Sequence, residues 1–152
     1  MPLATVLSRA KLGIDAPLVT IEVHLSAGLP AFNIVGLPEA TVREAKDRVR
    51  SAVINSRFEF PVSRITVNLA PADLPKEGGR FDLPIAIGIL LATGQLKQSQ
   101  TDGFEFIGEL GLSGELRQVH AALPAALACA ELIGRGDEKA ADQAAVDAMR
   151  TQ

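Results

Sequence analysis

Apolar and polar residues alternate strictly in two separate stretches of this chain. Every second residue is aliphatic in 18–25, and Ile65, Val67 and Leu69 repeat that spacing in 64–69. Period-two alternation places one set of side chains on one face of a β-strand. Two half-buried strands are therefore predicted, with shorter strands at 4–10 and 31–35. The Gly-Leu-Pro turn at 28–30 predicts that strands 18–25 and 31–35 form a hairpin or meander.

Apolar residues recur at helical spacing between residues 36 and 55, where Pro38 falls in the predicted first turn. A second helix is predicted at 83–93, with Asp82 as its N-cap and Gly94 at its end. Apolar side chains surround this second helix on all sides, which is typical of a buried central helix.

Two further strands, 104–110 and 115–119, flank a tight Gly-Leu-Ser-Gly turn, and a third helix is predicted at 121–133. The order β-β-β-α-β-α-β-β-α favours the α+β class, with one main mixed sheet and helices packed on it. Beyond Gly134 the composition becomes polar and Ala-rich without an apolar stripe. Residues 135–152 are therefore predicted to be a polar tail, disordered or truncated.

Composition narrows the functional classes. With 152 residues the chain fits one domain, and its net charge of −3 gives no global attraction to nucleic acid. The single cysteine, Cys129, excludes an internal disulfide and a multi-cysteine metal site. No apolar run is long enough for a membrane span and no secretory signal begins the chain, so a cytoplasmic location is expected. The absence of Trp and Tyr makes base-stacking platforms scarce.

Four segments together resemble one family. They are the opening stretch, Phe-Asn-Ile-Val-Gly-Leu-Pro-Glu-Ala at 32–40, Arg-Glu-Ala-Lys-Asp-Arg-Val-Arg at 43–50, and Gly-Glu-Leu-Gly-Leu-Ser-Gly-Glu-Leu-Arg at 108–117. In this order they resemble the N-terminal domain of the ComM/YifB proteins, which are bacterial Mg-chelatase-like AAA+ ATPases. The resemblance covers residues 1–134. It is supported by the Pro-Lys-Glu-Gly and Phe-Asp-Leu-Pro-Ile-Ala strings between 75 and 86.

The resemblance implies a Lon-protease-domain-like fold, normally followed by an AAA+ motor that binds ATP and Mg and resembles hexameric helicases. In naturally competent species the family is linked to processing of incoming DNA. The motor is absent from this sequence, because no Gly-Lys dipeptide occurs and a Gly-x-x-x-x-Gly-Lys-[Ser/Thr] phosphate loop requires one. The chain is therefore expected to be a fragment or a truncated product, with no cofactor of its own.

Lon-type proteolysis needs a nucleophilic serine and a lysine base. By this resemblance, the Pro-Lys-Glu-Gly-Gly-Arg string places Arg80 in the serine position. A separate alignment of the strand-turn-strand at 108–114 places Leu123 in the lysine position. A guanidinium is permanently charged and has no attacking lone pair, so Arg80 cannot be the nucleophile. The expected catalytic set is therefore empty.

The basic residues of the first helix and its surroundings suggest contacts with DNA instead of catalysis. Arg43, Lys46 and Arg50 project from nearly one side of the first helix, with Arg57 just beyond it and Arg64 on the next strand. They are candidates for DNA phosphate contacts. The alternative is a solvated helix face, because Glu39, Glu44 and Asp47 are interspersed among them and can pair at helical spacing.

Lys76 and Arg80 flank two glycines before a helix N-terminus, where backbone amides can hold an anion. The structural alternative is that the glycines form the turn and Asp82 occupies that site itself. Contact with a neighbouring subunit is the preferred functional interpretation for Lys76 and Arg80. No metal site is predicted, because His24 and His120 lack a converging Cys or Asp pair.

Three hypotheses follow. The first is a non-catalytic accessory or assembly domain of a Mg-chelatase-like AAA+ ATPase implicated in DNA processing. Its partners would be its own AAA+ domain, neighbouring subunits and DNA, with no membrane. The second is a protein- or peptide-binding module that uses a degenerate Lon-type groove. The least favoured is an active Ser-Lys peptidase.

Overall fold

The computed structural model describes residues 3–119 and 125–127. Within these residues, six strands occur: β1 (Leu3–Arg9), β2 (Leu18–Ser26), β3 (Ala31–Val35), β4 (Arg64–Ala70), β5 (Glu109–Leu110) and β6 (Leu116–Arg117). The helices are α1 (Ala40–Arg43), α2 (Ala45–Asn55) and α3 (Asp82–Ala92), with a short 3₁₀ turn at Gln98–Gln100. This mixture of one main sheet and helices confirms the predicted α+β class.

Four strands form the main sheet in the order β1-β2-β4-β3. β2 pairs antiparallel with β1 on one side and with β4 on the other. β3 pairs parallel with β4, which makes the sheet mixed. The predicted hairpin between strands 18–25 and 31–35 is therefore wrong. A turn signal is local, whereas the position beside β2 is taken by the longer β4, whose alternating side chains match those of β2 along seven residue pairs.

One face of this sheet forms the core. Val19, Ile21 and Val23 of β2 are fully buried, as are Val67 and Leu69 of β4, which confirms the alternation. α3 packs on β1 and β2 and also contacts α2. The other face carries the half-buried polar residues of β2 and β4. The sheet thus has one helix-covered face and one polar face.

α3 is the buried central helix that the sequence predicts, and Gly94, with φ +77°, follows its C-terminal cap residue Thr93. A Cβ at Gly88 would lie 2.5 Å from Val23 Cγ2, so the glycine lets the helix approach the sheet closely. Asp82 is not the N-cap. It is the first helical residue, and Phe81 stands at the cap position without a side-chain cap hydrogen bond.

The predicted helix at 36–55 is shorter and divided. It begins at Ala40 and is interrupted at Glu44, which separates α1 from α2. Gly36 and Leu37 have positive φ values of +105° and +61°, which no right-handed helix accommodates. Pro38 instead forms a parallel bridge with Lys76. Val42 and Val49, which belong to the apolar residues that recur at helical spacing in this segment, are fully buried.

The strands predicted at 104–110 and 115–119 are reduced to β5 and β6, which pair antiparallel over two residues each. The preceding segment has other hydrogen-bond partners. Phe106 N–H donates to Leu7 O of β1 (2.9 Å), and Gly108 N–H donates to Arg80 O (2.9 Å). Of the helix predicted at 121–133, residues 125–127 are helical; Leu123, Cys129 and the tail lie outside the described residues, as does His120.

Within residues 3–119 and 125–127, no helix has the length and apolarity needed to cross a membrane.

Candidate functional site

The loop between β4 and α3 is organised by a buried lysine. Lys76 is fully buried, and its Nζ donates to Gly36 O (2.6 Å) and to Pro71 O. Its backbone N–H also donates to Leu37 O (3.2 Å), and its carbonyl accepts from Glu39 N–H (3.0 Å). Burial lowers the pKa of the Lys76 ammonium below its usual value. In this structure Lys76 presents no side-chain surface to a partner, in contrast to the exposed subunit contact expected from the sequence.

One of the two carbonyl groups that accept from Lys76 belongs to Gly36, a position where only glycine fits. Gly36 has φ +105°, and a Cβ there would overlap the carbonyl oxygen of Leu69 and lie 2.9 Å from its backbone nitrogen. The end of β3 therefore touches the backbone of β4 directly. This close approach brings Gly36 O within reach of Lys76.

Arg80 lies in the same loop, four residues after Lys76. It is only 5% exposed, and burial lowers the pKa of its guanidinium from the usual range. Its side chain lines a cavity, while its carbonyl oxygen accepts from Gly108 N–H. The position that the resemblance assigns to a nucleophilic serine thus holds a largely buried arginine.

Asp82 is the hub of the junction. Its Oδ2 accepts from Arg48 Nε (2.6 Å) and from Leu110 N–H (3.1 Å), and its Oδ1 accepts from Arg48 Nη2 (3.1 Å). Burial raises the pKa of Asp82, and the two donors oppose that rise. The same hydrogen bonds raise the pKa of Arg48. This carboxylate joins α2, α3 and β5.

The pairing of Arg48 with Asp82 is absent from the sequence-based predictions. A signal was present, because Asp82 opens a helix whose other residues are almost entirely apolar. A buried carboxylate in such a place requires a cation or several donors. The identity of the partner, 34 residues earlier in the chain, required the fold.

A cavity of about 490 Å³ opens beside this junction. Its lining is polar and of mixed charge, comprising Lys11, Glu39, Thr41, Glu77, Gly78, Gly79, Arg80, Glu109, Gln118 and Val119. Gly79 packs closely against the Glu109 side chain, which would have to move to accommodate a Cβ at that position. We call this cavity the junction groove.

A second cavity, of about 320 Å³, lies between α2 and the β3–β4 end of the sheet. It is lined by Pro30, Ala31, Phe32, Lys46, Asp47, Arg50, Phe60, Pro61, Ser63 and Ile65. The Arg50 guanidinium carbon stands 5.4 Å from the centre of the Phe60 ring, within cation–π range. The rings of Phe32 and Phe60 are 5.8 Å apart and tilted by 33°. We call this cavity the Phe-Arg pocket.

The basic residues predicted as one patch are distributed over different surfaces. Lys46 and Arg50 share the Phe-Arg pocket, and Arg43 is exposed on α1. Arg57 is exposed in the turn after α2, with φ +67°. Arg64 alternates with the buried Ile65 and Val67, so it belongs to the polar face of the sheet, opposite the helices.

No group of three or more His, Cys, Asp or Glu side chains with metal-binding geometry occurs in 3–119 or 125–127. His24 is half-buried on the polar face of β2. Its strand neighbour Glu22 accepts a hydrogen bond from the Asn68 amide (2.8 Å).

Comparison with known proteins places this chain in a class. Residues 21–135 match the family described as subunit ChlI of Mg-chelatase, so the class is that of Mg-chelatase-like AAA+ ATPase family members. The chain is 67% identical over 128 residues to the competence protein ComM of Haemophilus influenzae, which covers 84% of this chain and 25% of that protein. It is 59% identical over 126 residues to the uncharacterized protein YifB of Escherichia coli, covering 83% and 25% respectively. The chain belongs to the ComM/YifB family.

More distant relatives show the same coverage. An uncharacterized protein of Mycobacterium bovis is 40% identical over 128 residues, covering 84% of this chain and 25% of that protein. The chain thus matches about a quarter of the length of each of these relatives.

Proposed function

We propose that this chain is a non-catalytic accessory domain of a Mg-chelatase-like AAA+ ATPase, where it helps to assemble the motor and to guide DNA. Membership of the ComM/YifB family and the quarter-length match support a role within a larger protein. ATP and Mg belong to the motor in this proposal. Neighbouring subunits and the protein's own AAA+ domain are the partners, in a cytoplasmic, hexameric parent.

The observation that carries the proposal is that the charged residues of the junction bind other parts of the fold. Lys76 is bound to two carbonyl groups, Asp82 is bound to Arg48, and Arg80 fills the position where a Lon-type nucleophile is expected. Lys76, Arg80 and Asp82 are buried, and the hydrogen bonds of Lys76 and Asp82 hold β3, β4, α2 and α3 together. Such an arrangement supports a framework role for the junction rather than hydrolysis.

The assembly role is tested in the full-length parent protein. We compare wild type with a form lacking residues 1–134, and measure oligomer distribution by mass photometry and ATP hydrolysis per subunit. The deleted form should assemble less at equal concentration and hydrolyse ATP more slowly. Unchanged assembly and unchanged hydrolysis would contradict the proposal.

The DNA role predicts a salt-dependent affinity that depends on the cationic side of α1 and α2. Charge reversal of Arg43, Lys46 and Arg50 in the full-length protein should weaken binding of labelled DNA and flatten its salt dependence, because each lost phosphate contact removes released counterions. The absence of binding at low salt in the wild type, or an affinity insensitive to these reversals, would exclude this part.

A second candidate function is binding of a peptide in the junction groove. Its volume of about 490 Å³ and its mixed polar lining favour this alternative. Gln118→Trp should fill the groove and reduce binding to a peptide array, whereas Leu29→Trp, at an 87% exposed site outside the groove, should not. Equal binding by both variants would argue against the groove.

Ser-Lys peptidase activity is the least supported alternative. We expect no casein cleavage and no labelling by a serine-reactive probe. Arg80→Ser alone should not create activity, since the base is missing as well. Cleavage by the wild-type chain would overturn the non-catalytic assignment.

A further inference from the structure

Of the six phenylalanines in this aromatic-poor chain, Phe58 is exposed in the segment after α2, and the other five are unevenly distributed in space. Phe81 is buried in the core, and Phe104 and Phe106 pack against each other as an edge-to-face pair. Phe32 and Phe60, by contrast, form a wall of the Phe-Arg pocket. An aromatic surface therefore exists in the fold, although composition alone argues against one.

The same pocket concentrates cations. Lys46 and Arg50 line it, against one lining carboxylate, Asp47. Among the described residues, the stacking on Phe60 is the one polar or ring contact found for the Arg50 side chain, which is exposed. Its guanidinium can therefore move to an incoming anion without breaking an ion pair.

The geometry points to a subsite for one unpaired nucleotide of single-stranded DNA in the Phe-Arg pocket. A flat base would lie against the Phe32 and Phe60 rings, and the adjoining phosphate would be neutralised by Lys46 and Arg50. Aromatic faces beside lysine and arginine are the combination by which proteins hold single strands. The pocket, at about 320 Å³, is small and suits a single nucleotide rather than a longer segment.

Duplex DNA is disfavoured in this pocket for a geometric reason. A paired base is stacked inside the helix and would have to be unpaired and unstacked before it could reach Phe60. Contacts with duplex would then be limited to phosphates, which the exposed Arg43 can also make. The subsite would therefore favour single-stranded over duplex DNA, a preference that a basic surface alone would not give.

This inference rests on the DNA part of the proposed function and is tested on the whole 152-residue chain. Affinities for a single strand and for a duplex of equal length are measured by fluorescence anisotropy at several salt concentrations. Phe60→Ala should weaken single-strand binding by about fivefold or more, from the ~1–3 kcal/mol attributed to one stacked base. Its affinity for duplex should change much less. Arg43→Ala should weaken both substrates similarly.

Phe104→Ala is the matched control, because it removes the same ring from a site outside the pocket and tests for general destabilisation. Photocrosslinking with a 5-iodouracil-substituted strand gives a second readout, and mass spectrometry should locate the adduct in the segment carrying Phe32 or Phe60. Equal losses in Phe60→Ala and Phe104→Ala, equal losses for single strand and duplex, or adducts confined to other segments would each overturn the subsite. Such a result would not bear on the assembly role, which has its own test in the full-length protein.

Discussion

A single side chain, Lys76, joins three parts of the fold. Its Nζ binds Gly36 O at the end of β3 and Pro71 O just after β4, while its backbone pairs with the segment before α1. From the sequence, Lys76 is interpreted as flanking a glycine turn, with contact to a neighbouring subunit as its preferred functional role. Loop composition predicts exposure, but it does not reveal that two carbonyl groups converge on one amine.

The lowered pKa of Lys76 makes stability depend on pH. Between that lowered pKa and the ordinary value of 10.5, the unfolded chain binds more protons than the folded one. Stability from this group should therefore rise with pH across this window. Urea unfolding at a series of pH values approaching 10.5 should show the free energy of unfolding of wild type rising relative to Lys76→Met.

The Lys76→Met reference is used because methionine retains the apolar stem and does not titrate. A difference between wild type and variant that shrinks as pH rises would show that the folded state favours the ammonium form, contrary to the effect of burial.

Gly36→Ala should be strongly destabilising. The substitution combines an unfavourable positive φ with an overlap against the backbone of Leu69, which has no flexible end to move aside. We expect a loss of about 2–5 kcal/mol, adding the cost of the backbone conformation to that of overpacking. Thermal and urea unfolding measure it.

Gly13→Ala provides the comparison for Gly36→Ala. Gly13 has φ +61°, but a Cβ added there would meet no atom within 4 Å. Only the conformational cost of about 1–2 kcal/mol therefore applies. Similar losses at the two positions would show that the close contact between β3 and β4 is unimportant.

Between elements, the ion pair of Arg48 and Asp82 holds α2 against the start of α3. The Asp82 side chain is 1% exposed and that of Arg48 is 21% exposed, and both Asp82 oxygens are bound. The N-cap prediction correctly places Asp82 at the start of α3. It is wrong about the carboxylate, because an N-cap side chain accepts hydrogen bonds from backbone N–H groups of its own helix. The structure uses the carboxylate between elements instead.

Arg48→Met should destabilise the fold by about 3–5 kcal/mol, because it leaves the Asp82 carboxylate buried without its cation. The exposed pair of Arg117 and Glu115 supplies the control, and Arg117→Met should cost less than about 1 kcal/mol. Denaturant unfolding compares the two. Adding Asp82→Asn to Arg48→Met should recover part of the loss; strictly additive losses would contradict direct coupling.

An element can be predicted from the sequence when neighbouring residues determine it, but not when distant segments do. Alternation in β2 and β4 and the apolar character of α3 are local, and each prediction is confirmed. The parallel pairing of β3 with β4 was not predicted. The turn at 28–30 has the same sequence signal whether or not the strands on its two sides pair with each other. The Phe32–Phe60 wall was missed for the same reason, because distant segments form it.

At the scale of the described fold, residues 3–119 and 125–127, the main sheet separates the candidate DNA contacts of α2 from that of β4. Lys46 and Arg50 lie on the helix side, and Arg64 belongs to the polar side. A charge reversal on one side therefore should not substitute for a reversal on the other. Their proximity in sequence to the basic helix instead predicts one common patch.

Arg64→Glu should leave DNA affinity nearly unchanged, whereas Arg50→Glu should weaken it and reduce the salt slope by about 0.7–0.9 per lost phosphate contact. Anisotropy titrations over salt, in the same buffer series, measure both. A larger effect from Arg64→Glu would move the proposed DNA path to the polar face of the sheet.

The strand order β1-β2-β4-β3 also has a kinetic consequence. β1 and β2 are joined by a short connection, whereas β3 is linked to β4 through α1 and α2, so the main sheet consists of two halves, β1-β2 and β3-β4. The β2–β4 ladder unites them and has the largest sequence separation in the main sheet. Because loop closure precedes the gain from such pairing, docking of the two halves is expected to limit the folding rate. The exposed connection at residues 27–30 would then act as a tether that raises the encounter frequency of the halves.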